Sequence, residues 1–494
     1  MASGPAENQW RTLDKDLNRI ARVEYATNYV ARPLVGLGIS LAFIVLAALG
    51  AALFLGLHPT SYVVVAAAAF GAYMALNIGA IDVANNMGPA VGANALTMGG
   101  AIVIAALCET AGALLAGGDV VSTISKGIID PASVADREIF IWAMMAALIS
   151  SALWVNLATW LGAPVSTTHS VVGGVMGAGI AAAGFAAVNW SNMGAIAASW
   201  VISPLLGGLI AALFLAFIKT YIIYRDDKIA AARTWVPVLI GIMAGTFATY
   251  LALKGLKKII SIEIGTALFI GLVVAALTYA ISAPLVRRQS EGLDNRNRSI
   301  KVLFGLPLVI SAALLSFAHG ANDVANAVGP LAAIVHAEQF GEFAGKVAIP
   351  VWVMVIGAFG ISFGLVLFGP KLIRMVGSQI TKLNPMRAYC VALSAAITVI
   401  IASWLGLPVS STHIAVGGVF GVGFFREWHA ERRSKNRNAK NAKSGQKIAA
   451  EERRRRKLVR RSHFLTIVAA WVITVPAAAM LSAVIFLVLS ASFI

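Results

Sequence analysis

Apolar runs of roughly 20 residues recur from Pro33 to the C-terminus, the length needed to cross ~30 Å of hydrocarbon. No other feature constrains the fold as strongly. Each such run forms its backbone hydrogen bonds internally as a helix, because lipid supplies no partners. Segments near 33–57, 61–79, 93–116, 139–161, 170–187, 194–218, 234–253, 259–283, 302–318, 347–369, 388–406, 412–425 and 464–493 read as spans. Some are expected to be re-entrant or broken. A soluble protein with a large helical core is excluded by composition. Only 12% of the 494 residues are charged and 59% are hydrophobic, whereas soluble domains carry about 25% charged residues. The expected architecture is all-α and polytopic, with about 11–13 spans, in a cell membrane (the inner membrane, for a bacterium). Cys108 and Cys390 both lie in apolar runs and do not suggest a disulfide framework. No cleavable signal is expected in the polar stretch 1–32.

The net charge of +17 is uneven. Residues 426–462 hold 15 Lys/Arg against 4 Asp/Glu. In a membrane chain this reads as a cytoplasmic segment, or a surface helix on anionic lipid, rather than a nucleic-acid site. The N-terminal arm and the stretches near 219–233 and 287–301 share its basic character and are placed on the same side. The loop 119–138, with four acids and two bases, is placed outside.

The chain repeats itself. "IGAIDVANNMGP" at 78–89 matches "HGANDVANAVGP" at 319–330, "LGAPVSTTHSVVGGVMGAG" at 161–179 matches "LGLPVSSTHIAVGGVFGVG" at 405–423, and "SWVISPL" from Ser199 matches "AWVITVP" from Ala470. Three blocks in one order mark a duplicated unit. The expected division is an arm and first span over 1–60, one copy over 61–219, linking helices and a cytoplasmic loop over 220–300, and a second copy over 301–494. Seven crossings separate the equivalent runs. An odd number makes the copies inverted, an arrangement that places a site at their interface near the midplane.

An ionisable side chain inside a bilayer is by default a functional residue. Asp82 and Asp323 are each followed three residues later by an amide, Asn85 and Asn326. Positions i and i+3 share a helix face, and oxygen-rich sites suit hard cations. The glycines and prolines around them (Gly79, Gly88, Pro89, Gly320, Gly329, Pro330) suggest helices interrupted at the motif, with free carbonyls to complete a cation shell. "PVSTTH" and "PVSSTH" read as helix N-termini. Unpaired N–H groups there attract anions. The hydroxyls of Ser166, Thr167, Thr168, Ser410, Ser411 and Thr412 either surround an oxyanion or serve as helix caps. No Lys or Arg lies in the spans carrying these motifs. An oxyanion facing two aspartates therefore needs a cation or a proton to accompany it. Glu109, a third acid, is a candidate gate or coupling residue, and its counterpart near Met354 is apolar. His319, His169 and His413 are candidate proton carriers or helix-end hydrogen bonders.

At these residues the chain resembles the inorganic phosphate transporter (PiT) family, through "GANDVANAVGP", its first-half partner and the paired "PVS(T/S)TH" segments. The resemblance runs the length of the chain and includes the basic stretch before the last span. It implies secondary active import of inorganic phosphate, by alternating access between two inverted repeats and coupled to sodium or protons. It implies that Asp82, Asn85, Asn322, Asp323 and Asn326 serve the cation, that the six hydroxyl residues serve phosphate, and that the chain is a homodimer in lipid. No cofactor is expected beyond a transiently bound coupling cation, and no nucleic acid. The chain departs from the family pattern at Ile81, where an Asn is expected. Sulfate carriage and a receptor or anchor role are the competing readings. No nucleophile–base pair or metal-ligand spacing suggests an enzyme.

Overall fold

A computed structural model describes residues 34–54, 61–130, 133–134, 136–161, 165–255, 262–340, 349–379, 384–440 and 461–493. Among them are fifteen α-helices and no strand, only an isolated bridge between Ile129 and Val188. The first half runs α1 (Leu34–Phe54), α2 (Ser61–Gly92), α3 (Met98–Ala116), α4 (Gly118–Lys126), α5 (Arg137–Trp160), α6 (Thr167–Ala183) and α7 (Trp190–Ile218). Then come α8 (Lys228–Lys254), α9 (Ile264–Gln289) and α10 (Asn297–Leu303). The second half runs α11 (Gly305–Phe340), α12 (Val351–Gln379), α13 (Pro385–Trp404), α14 (Ser411–Lys440) and α15 (Arg461–Phe493). Among the described residues, eleven helices are long and apolar enough to cross a membrane. The N-terminal arm and the 441–460 part of the basic stretch lie outside the described residues.

The two halves pack reciprocally. α2 lies on α12 while α11 lies on α3, and α6 lies on α15 while α14 lies on α7. Small residues set these contacts. A methyl group at Gly79 would run into the Ile361 carbonyl, and one at Gly364 into that of Leu76. The mirrored contacts are Gly320 on the Glu109 carbonyl and Gly112 on that of Phe317. On the other flank, Gly173 meets Val475 and Gly177 meets Ala479, as Gly417 meets Pro204 and Gly421 meets Gly208. Thr110 and Ser362, which correspond in the two halves, share a 2.6 Å hydroxyl–hydroxyl bond. α2 and α11 cross antiparallel: Gly71 faces Ala327 and Leu331, while Asp82 faces His319 and Asp323. α8 and α9 form a separate antiparallel pair, joined where Gly241 and Gly245 meet Ala275 and Gly271.

Two expectations change. The helices carrying the Asp/Asn motifs are not interrupted: α2 continues to Gly92 and α11 to Phe340, through Pro89 and Pro330. The glycines there admit a neighbouring backbone instead of breaking the helix. The prolines still matter, since they have no N–H to return to the carbonyls of Asn85 and Asn326 four residues earlier. The interruption occurs at the other motif pair, where chain without helical structure precedes α6 and α14. α6 is only 17 residues long, about 26 Å at 1.5 Å per residue. α14 extends well past the expected 425, to Lys440, so the start of the basic stretch is helical.

Because Gly320 abuts a main-chain carbonyl, Gly320→Ala should destabilise the protein by about 1–3 kcal/mol through overpacking. A lower melting temperature of the purified variant is the expected result. Gly194→Ala, with open space around its Cβ position, should be neutral in the same measurement.

Candidate functional site

The four motif segments meet at one place. α6 and α14 each begin there, capped by a serine: Ser166 Oγ accepts from the His169 N–H at 3.2 Å and Ser410 Oγ from that of His413 at 3.4 Å. The cap reading therefore holds for these two, and each hydroxyl keeps its own proton to donate. The next residues turn towards the carboxylates. Thr412 Oγ1 donates to Asp82 Oδ1 at 2.8 Å, Thr167 Oγ1 to Asp82 Oδ2 at 3.3 Å, and Ser411 Oγ to Asp323 Oδ2 at 3.1 Å. Asn85 Nδ2 reaches Thr412 Oγ1 at 2.8 Å and Asp82 Oδ1 at 3.4 Å. Asn326 Nδ2 reaches Thr168 Oγ1 at 3.1 Å and Thr167 Oγ1 at 3.5 Å. Thr168 Oγ1 also donates to the Val409 carbonyl at 3.0 Å, joining the first turn of α6 to the coil segment before α14. Each motif helix is thus tied to the helix N-terminus contributed by the other half.

Charge is concentrated and has few partners. Asp82, His319 and Asp323 are all buried, and each offers a ligand atom within 4.8 Å of the others. His319 Nε2 lies 2.8 Å from Asp323 Oδ2 and 3.6 Å from Asp82 Oδ2, and its Nδ1 lies 3.4 Å from Glu109 Oε2. Asn86 Nδ2 donates to Glu109 Oε1 at 2.9 Å. Among the described residues no Lys or Arg pairs with these three acids. Asp323 Oδ1 and Asn326 Oδ1 are buried with no hydrogen-bond partner. Two unpartnered buried oxygens, together with an Asn326 carbonyl that Pro330 leaves without its usual helical donor, are the kind of ligands a hard cation takes. The N–H groups of Thr167, Thr168, Ser411 and Thr412 have no carbonyl within their own helices. Oxygen acceptors and free donors therefore lie side by side, which suits an anion bound with its cation.

Asn322 does not fit the role expected of it. Its Nδ2 donates to Ser403 Oγ at 3.0 Å and the Leu407 carbonyl at 3.1 Å, and its Oδ1 accepts from the Val409 N–H at 3.1 Å. It secures the backbone leading into α14 and is not a free ligand. Its counterpart Ile81 cannot do this for the segment before α6, so that departure concerns loop support. Residues 162–164 of that segment lie outside the described residues. The glycine contacts align Glu109 with Ile361, not with Met354; the counterpart is still apolar, so the acid remains one-sided. His169 and His413 pack ring to ring, with centroids 4.7 Å apart. Asn86 was missed. The only signal for it was a second amide after Asn85, where the other copy has Ala327.

Such a site, buried among membrane-length helices and drawn from both copies of the repeated motifs, has the parts a carrier of small ions needs. The comparisons agree. The Phosphate transporter family (PHO4) matches residues 78–482, and the chain belongs to that family. A Helicobacter pylori protein named as a phosphate permease is 45% identical, over 96% of this chain and 98% of its own. One so named from Pyrococcus abyssi is 36% identical over 85% and 96%. A solved structure, named "The sodium-dependent phosphate transporter", superposes with a TM-score of 0.78 at 33% identity, covering 87% of this chain and 99% of its own.

The caps and the carboxylate-facing hydroxyls should separate on mutation. Ser166→Ala and Ser410→Ala each lose a cap bond and should cost about 0.5–2 kcal/mol of stability. Thr412→Val loses its bonds to Asp82 and Asn85 and should weaken ligand binding about 10-fold or more, on the scale of hydrogen bonds to charged groups. Melting curves and phosphate titrations on the same preparations distinguish the two outcomes.

Proposed function

We propose that this chain imports inorganic phosphate as a secondary active symporter, with a cation bound beside the anion and access alternating between the two membrane faces. The observation that carries this reading is the convergence of Asp82 and Asp323, with no lysine or arginine paired to them among the described residues, on the two helix N-termini of α6 and α14. An anion held there faces two carboxylates, and their repulsion is relieved only by a co-bound cation or proton. The phosphate transporter family supports the substrate. The solved relative, named as sodium-dependent, favours sodium, while His319, set among three acids, keeps a proton in contention. Phosphate is preferred over sulfate because hydrogen phosphate can donate a hydrogen bond to a carboxylate oxygen and sulfate cannot.

In this reading Asp323, Asn326, Asp82 and Asn85 serve the cation, and Thr167, Thr168, Ser411 and Thr412 serve the phosphate. Ser166 and Ser410 fix the N-termini that carry them, and Glu109 with His319 sets the charge on the first half's flank. The reciprocal packing supports inverted repeats near 61–219 and 301–494. It is the framework alternating access requires, with two equivalent bodies around a fixed site.

Reconstitution in vesicles with separately imposed sodium and pH gradients tests the proposal. Labelled phosphate should accumulate under at least one gradient, and competing sulfate should leave uptake intact. Asp82→Asn and Asp323→Asn should each abolish accumulation. Native rates in both variants would refute the cation assignment, and uptake that ignores both gradients would refute symport.

A further inference from the structure

Apart from the site, the structure contains an apolar groove of about 1000 Å³ between α7, α14 and α15. That is at the upper end of small-molecule pockets, ~300–1,000 Å³. It begins at His169 and Trp200 and runs along both helices to Phe425 and Trp428. Its rim is apolar and exposed: Val201, Leu205 and Leu209 on α7, and Val472 on α15. A polar solute would find almost no partners there. The far end is different. Lys219 Nζ lies 5.1 Å from the centre of the Phe425 ring, and Arg432 Cζ lies 5.2 Å from that of Trp428. Both rings line the groove, so two cations are held over its mouth. That end leads into the basic stretches 219–233 and 426–440, the side the Lys/Arg bias makes cytoplasmic.

From this juxtaposition of an acyl-sized apolar trough and a cationic mouth, we infer that the groove binds an anionic phospholipid of the cytoplasmic leaflet. Its chain lies along α7 and α14, and its phosphodiester sits between Lys219 and Arg432. The cytoplasmic leaflet is the one rich in anionic lipid, and each basic side chain near it adds to the attraction. The inner end connects to the transport site. Trp200 packs on the His169 ring with centroids 4.0 Å apart, and its Nε1 donates to the Pro408 carbonyl at 3.0 Å. His169 and Pro408 adjoin the two capping serines. A lipid filling the groove therefore braces both helix N-termini from the membrane side, whichever ion the site carries.

Native mass spectrometry of the full-length protein, released from vesicles of phosphatidylcholine and phosphatidylglycerol at three to one, tests this. The parent protein should retain phosphatidylglycerol in preference to phosphatidylcholine. K219Q/R432Q should reduce that preference roughly 30-fold, the scale set by two basic side chains at an anionic surface. Leu209→Trp should displace the lipid with the basic pair intact; if it fails to assemble, the charge variant decides alone. Phosphatidylglycerol should also raise the melting temperature of the parent but not of K219Q/R432Q. No headgroup preference in the parent, or full preference in the charge variant, would overturn the site. Equal melting temperatures with and without the lipid would overturn its bracing role. Chain-to-chain disulfide formation by Val201→Cys would show that a second copy covers the groove, and would also overturn it.

Discussion

Two buried carboxylates a few ångströms apart, with no lysine or arginine among the described residues to neutralise them, are the constraint around which the rest of the structure is arranged. In a medium of low dielectric their repulsion is large and water cannot relieve it. The protein supplies partial compensation: hydroxyls from Thr167, Ser411 and Thr412, and the His319 imidazole. It leaves Asp323 Oδ1 and Asn326 Oδ1 without partners. In the proposed reading, a site left short of positive charge takes up a cation or proton, and that requirement couples the ions. The duplication supplies the geometry. One carboxylate and one helix N-terminus per half, brought together by antiparallel α2 and α11, place four motif segments in contact.

The fold was legible in the sequence to the extent that solvent dictates it. Apolar length set the helices, and the three matched blocks predicted that Asp82 and Asp323 would meet. The interruption of α2 and α11 was misplaced because glycine and proline carry two meanings. A glycine in a run such as "GAIDVANNMGP" reads as a breaker, yet Gly79 and Gly320 serve a neighbouring backbone that only tertiary structure reveals. Which of two roles Asn322 takes depends on residues some 80 positions away, Ser403 to Val409, so spacing along the chain could not show it. The choice between cap and ligand at Ser166 and Ser410 was equally hidden, because both roles call for the same residue type at the same place.

The asymmetry between the halves is as informative as their likeness. Glu109, Asn86 and His319 form one hydrogen-bonded and charged flank, while their counterparts Ile361, Ala327 and Ile78 are apolar. A duplicated framework kept only for packing would have no use for this difference. Its polar members all lie on the side where His319 faces the two aspartates, which suggests that one half-site handles charge differently from the other. The linking pair α8 and α9 adds a further one-sided contact. Lys254 at the end of α8 pairs with Asp119 on α4 and donates to the Trp404 carbonyl at 3.2 Å, close to the segment that leads into α14.

Equilibrium binding shows directly, without requiring transport, whether phosphate and a cation occupy this site together. Labelled phosphate would be titrated into the purified protein at constant ionic strength, with sodium exchanged for choline and with pH varied separately. Affinity should rise about tenfold or more with sodium or with acid, the size of coupling expected when one ion relieves the other's repulsion. Phosphate binding of the same affinity under every condition would contradict it.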